Sequence, residues 1–81
     1  MSRLVNEPII VHISDSIVRA FIWHRRNYRV LNVLSSWSEG SKWWEGEPIK
    51  HFIRVIANNK YDGIYELYQA GKKWFLHSIL D

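Results

Sequence analysis

"SIVRAFIWHRRNYRVLNVL", residues 16–34, is the stretch whose reading decides the fold. Read with a period of two, Ile17, Phe21 and Trp23 fall on one face and Val18, Ala20 and Ile22 on the other. That is a strand with apolar groups on both sides. "HRRN" at 24–27 then supplies a polar turn in which Asn27 can take a positive φ, and "NYRVLNVLSSW" follows as a second strand, bulged near Leu31. Read with a helical period, Ile17, Phe21, Tyr28 and Leu31 line up instead. That stripe would be interrupted by His24 or Arg25, and the residues are β-branched and aromatic, which favours strands.

The flanking segments extend the strand reading. "PIIVHIS" at 8–14 is β-branched, with Pro8 at its start where a missing N–H harms no ladder. "IKHFIRVIAN" at 49–58, "GIYELYQ" at 63–69 and "KWFLHSILD" at 73–81 are strands separated by the turn signals "NKYDG" and "AGKK". In the last of them Trp74, Leu76 and Leu80 share one face while Phe75 and Ile79 share the other. Apolar groups on both faces require a sheet that curls over itself or is covered outside. The expectation is an all-β antiparallel meander of five to six strands, curled into a small SH3-like, partly open barrel.

Composition fits one small domain. The chain has 81 residues and no cysteine, so neither a disulfide nor a thiolate metal site can staple it. Aromatic density stands in: five Trp, four Tyr and three Phe, each able to bury roughly 150–250 Å². Residues 1–7 read as a flexible N-terminus. No leader-like run opens the sequence and no stretch approaches a membrane span, so a cytoplasmic protein without a membrane partner is expected.

"SSWSEGSKWWEGEP", residues 35–48, is the one long loop-like stretch, and it holds three tryptophans. Trp43 and Trp44 are adjacent, so in an extended backbone their side chains point to opposite sides. The expectation is that the segment folds back as a plug, with one of the pair anchored and the other exposed. Trp23, Trp37 and Trp74 are expected to be buried.

The charge is uneven. The formal net charge is +3, and the excess lies within residues 1–30, chiefly in "HRRNYR" at 24–29. Arg25, Arg26 and Arg29, with Arg19 nearby, suit bidentate phosphate contacts, against the plainer reading of a solvated turn. Catalysis finds no support: no Cys, no Ser–His–carboxylate pattern, and His12, His24, His51 and His77 without a metal-binding spacing. Glu45 and Glu47 read as exposed loop carboxylates rather than a dyad. No cofactor or metal is expected. Arg54 is expected to pair with Glu66 across neighbouring strands, against the alternative that it projects to the open sheet face and joins the basic turn.

The ordered series Phe21-x-Trp23-x-x-Arg26-x-Tyr28-x-Val30, then Trp37, Trp43-Trp44, Arg54-Val55, Gly63-x-Tyr65-Glu66-Leu67-Tyr68 and Trp74-x-Leu76…Asp81 resembles a small bacterial domain family of unknown function. The resemblance runs from about residue 9 to 81. This chain departs from it at the turn, where His24-Arg25-Arg26-Asn27 stands in place of an expected Arg-Gly-Arg. Members occur alone, beside or attached to Y-family translesion DNA polymerases, which implies an accessory role in mutagenic DNA repair.

Together these readings lead to a non-enzymatic module that contacts DNA, single-stranded or primer-template. Arg25, Arg26, Arg29 and Lys42 would meet phosphates, and Trp43 or Trp44 would stack on bases. The rival expectation is a protein-interaction module in which the Trp-rich loop or a strand edge receives a peptide from a polymerase or its partner. A structural domain with no ligand of its own is the third.

Overall fold

A computed structural model describes residues 3–40, 43–46 and 49–80. Six strands run in chain order: β1 (Arg3–Ser14), β2 (Ile17–Trp23), β3 (Arg26–Glu39), β4 (Lys50–Asn58), β5 (Asp62–Ala70) and β6 (Lys73–Ile79). Every neighbouring pair is antiparallel, and β1 pairs with β6 to close a barrel. The stretch 16–34 is therefore a hairpin rather than a helix. Among the described residues no helix is long and apolar enough to cross a membrane.

The register follows from side-chain stacking. Phe21 and Tyr28 sit directly opposite each other on β2 and β3, their rings parallel within 6° at 4.9 Å. Tyr65 of β5 meets both rings edge-on, at 5.6 and 5.4 Å. Such pairs add about 0.5–1.5 kcal/mol each beyond burial. Around them Phe21, Val55, Ala57, Leu67 and Leu76 are fully buried, so this core joins β2, β4, β5 and β6.

The other face of the sheet carries a second row. Trp37, Phe52, Tyr68 and Phe75 are register partners across β3, β4, β5 and β6. Trp37 stacks on Phe52 at 5.4 Å, Phe52 meets Tyr68 at 5.2 Å, and Tyr68 stacks on Phe75 at 4.9 Å. Arg54 lies over Trp37 and Lys50 over Tyr68, while the Tyr68 hydroxyl donates to the Asn6 side chain at 2.7 Å. Among the described residues the sheet packs this face sideways, ring against ring, under cations.

Three boundaries differ from the sequence expectation. Residues 3–7, read as a flexible tail, belong to β1 and pair with β6 through Arg3↔Ile79 and Glu7↔Leu76. This non-local ladder leaves no mark in the local sequence. Ser38 and Glu39, read only as loop, continue β3 past the expected strand end at Trp37, because they pair with His51 and Lys50 of β4. Positive φ falls on His24 (53°) and Arg25 (64°), whereas Asn27 pairs with Ile22 inside the ladder. The Phe21–Tyr28 pairing leaves only a two-residue loop, and such a loop takes left-handed backbone at both positions. Asp15 and Ser16 form the β1–β2 turn in the same way, with φ of 53° and 63°.

Tryptophan burial is also corrected. Trp23, Trp37 and Trp74 are half-buried. Trp37 packs outside the central core, so it plugs nothing, and its indole N–H donates to Glu39 at 3.0 Å. Trp43–Glu45 form a short 3₁₀ turn in which Trp44 is 68% exposed. Lys42 and Glu47 lie outside the described residues, as does the side chain of Trp43.

Candidate nucleic-acid interface

An up-and-down meander puts successive turns at alternate ends of the barrel. The β2–β3 and β4–β5 turns accordingly share one end with the start of β1 and the end of β6. That end gathers Arg3, His24, Arg25, Arg26 and Lys60. Two contacts fix it: the Asn59 side chain donates to the Asn27 carbonyl at 2.9 Å, and Asn58 donates to Asp62 at 2.6 Å. The first locks one turn against the other although 32 residues separate them.

Between these turns lies a cleft of about 470 Å³ with Arg26, Lys60 and Tyr61 on its rim and Tyr28 and Tyr65 at its floor. Tyr61 is 79% exposed. Burial, and then the neighbouring Tyr28, push the Tyr65 hydroxyl above its ordinary range. Gly63 lies close beside it: a Cβ there would stand 3.0 Å from the Tyr65 ring and hydroxyl, so a side chain would have to displace that ring.

A second cleft of about 430 Å³ flanks the same turn, lined by Arg3, Glu7, Trp23 and His24 among others. The Glu7 carboxylate accepts from the Trp23 indole at 3.0 Å and lies 2.7 Å from His24 Nε2. These hydrogen bonds, Trp23 first and His24 second, lower the Glu7 pKa, with the charges of His24 and Arg3 acting in the same direction. His24 in turn stacks on Trp23 at 4.3 Å. Glu7 thus holds the His24 side of the turn and leaves the Arg26 side as the more cationic cleft.

The structure divides the expected site residues. Arg25 and Arg26 occupy the basic end. Arg29 follows on β3 with its side chain on the face opposite Arg26, since the ladder between them is regular. Arg19 sits on β2 beyond the paired stretch. Trp43 and Trp44 lie beyond the far end of the 14-residue β3, so they share no surface with the arginine turn. Lys60 and Tyr61 were not singled out from sequence, because "NKYDG" reads only as a turn. The usable signal was topological: in a meander, turns two apart share an end. The remaining histidines are dispersed, with His51 beside the Ser38 hydroxyl at 2.9 Å and His77 edge-on to Phe52 and Tyr68. Among the described residues no three His, Asp or Glu side chains come together as a metal site.

Fold and site define a small, closed antiparallel β-barrel with a cationic, tyrosine-bearing end. The whole chain, residues 1–81, matches the family described as "Domain of unknown function (DUF6504)", and it belongs to that family. No curated protein and no solved structure matches it.

Proposed function

We propose that the domain is a non-catalytic accessory module that binds single-stranded nucleic acid at the basic end of its barrel. One observation carries this reading: Arg26 and Lys60 share a cleft rim with the exposed ring of Tyr61. Guanidinium and ammonium groups hold successive phosphates, and an exposed aromatic face beside them accepts an unpaired base. Arg25 at the turn tip and Arg3 on the flank extend the cationic surface. The resemblance to a family found beside Y-family translesion polymerases supplies the setting, a template strand near such an enzyme.

Fluorescence anisotropy with a labelled oligonucleotide, repeated across salt concentrations, tests it. Phosphate contacts by Arg25, Arg26 and Lys60 predict that log K falls with log salt with a slope of about −2 for a single strand. Arg26→Ala/Lys60→Ala is expected to flatten that slope to about −0.7, and Tyr61→Ala to weaken binding by about 1–3 kcal/mol at unchanged slope. Binding that ignores all three substitutions, or no binding at low salt, rejects the reading. Docking of a polymerase segment that persists at high salt would favour the protein-interaction module instead, with the exposed Trp44 as its first candidate contact.

A further inference from the structure

β2 and β3 separate beyond one ladder position. Their pairing runs from Trp23↔Arg26 to Ala20↔Arg29 and ends there, although β2 reaches back to Ile17 and β3 runs on to Glu39. Among the described residues, β3 has a ladder partner from Val30 onward on one side only, β4. A groove of about 230 Å³ opens where the strands part, between Ile17–Arg19 and Val30–Val33.

An open edge of this kind offers a row of backbone donors and acceptors to another strand, and proteins blunt such edges with Lys, Pro or bulges. Here no Lys or Pro is present, Val30 to Ser38 carries no charge at all, and the two bulges, at Leu31 and Leu34, are apolar. Instead Leu31 and Leu34, the two positions skipped in the register with β4, are 46% and 44% exposed. Val33 and, across the groove, Ile17 are exposed to a similar degree. The charges stand at the two ends of the run. Arg19 and Arg29 flank the point where the strands part, and Glu39 closes the other end.

We propose that this edge is a homodimer interface, in which β3 pairs antiparallel with β3 of a second copy about a two-fold axis at Leu34. The occupant follows from the pattern of charge. A two-fold at Leu34 sets Leu34 against its own copy, Val30 against Ser38 and Leu31 against Trp37. It brings Glu39 of each copy to the arginines of the other, twice by symmetry, and no like charges meet. The apolar run supplies the centre of the contact and the ion pairs its rim. The proposal is independent of the basic end, since Arg29 faces away from the Arg26 cleft.

Sedimentation velocity over about a hundredfold range of concentration tests it through mass action. The wild-type chain is expected to pass from one-chain to two-chain mass as concentration rises. Leu34→Lys, at an exposed position, places two like charges on the axis and is expected to remain one chain in mass while its circular-dichroism melt stays cooperative. Arg29→Glu is expected to weaken the dimer about tenfold, and Arg29→Glu/Glu39→Arg to restore it. A wild-type chain that keeps one-chain mass at the highest concentration overturns the proposal and leaves the edge to another protein's strand. A charge swap that fails to restore a weakened dimer overturns the two-fold at Leu34.

Discussion

Arg25 holds a left-handed backbone with φ of 64°, in a turn whose two-residue loop leaves no other choice. A non-glycine residue pays about 1–2 kcal/mol for that conformation, partly offset by the larger entropy a glycine would lose on folding. Glycine is the residue that takes this backbone without steric cost. Arg25→Gly is therefore expected to stabilise the fold by about 0.5–1 kcal/mol, raising the melting temperature by about 4 °C. The same substitution removes a cation from the proposed nucleic-acid surface, so the oligonucleotide affinity is expected to fall as the melting temperature rises. Opposite signs in those two measurements would mark Arg25 as kept for binding at a cost to stability. A drop in melting temperature would mean that the long side chain packs against the barrel and contributes more than its strain removes.

At the scale of the strands, Arg54, Glu66 and Ser78 tie β4, β5 and β6 together. They are successive register partners. Arg54 donates twice to one Glu66 oxygen, at 3.0 and 2.6 Å, and the Ser78 hydroxyl donates to the other at 3.0 Å. Burial pushes the Glu66 pKa up, but the hydrogen bonds from Arg54 and Ser78, together with the charges of Arg54 and His77, outweigh it and the net shift is downward. A carboxyl held below its unfolded value stabilises the fold fully above that value, about 4.3. It loses the contribution as pH falls through the lower, folded value. Glu66→Gln is thus expected to cost about 1–2 kcal/mol near neutral pH, less than a fully buried pair because Arg54 is 43% exposed. The gap between the two melting curves should hold constant from neutral pH to about 5 and shrink below about 4. A gap that does not narrow in acid would mean the carboxylate's charge contributes nothing. This pair was legible in the sequence because both residues interrupt apolar alternation on strands joined by one short turn. Closure by β1 and β6 was not, since Glu7 meets Leu76 only through a ladder 69 residues long in sequence separation.

For the molecule as a whole, the alternation of turns decides what can act together. Cationic and aromatic signals at "HRRNYR" and "KWW" looked like one stacking-and-phosphate surface when read along the chain. β3 keeps them apart, because at about 3.3 Å per residue a 14-residue strand spans most of the molecule's 42 Å length even when bent. The partner that β3 does deliver to the arginine turn is the β4–β5 turn, through Arg29↔Asn58 pairing and the Asn59–Asn27 hydrogen bond. A backbone-amide NMR titration with a short single-stranded oligonucleotide at low salt reads this difference directly. Shifts are expected at residues 24–26 and 59–62, with those of 43–46 unmoved at stoichiometric oligonucleotide. A single strand of a few nucleotides cannot reach both ends at once, so simultaneous saturation at 24–26 and 43–46 would place two independent sites on the barrel. Shifts confined to 43–46 would move nucleic-acid binding to the tryptophan end and leave the basic end as solvated turns.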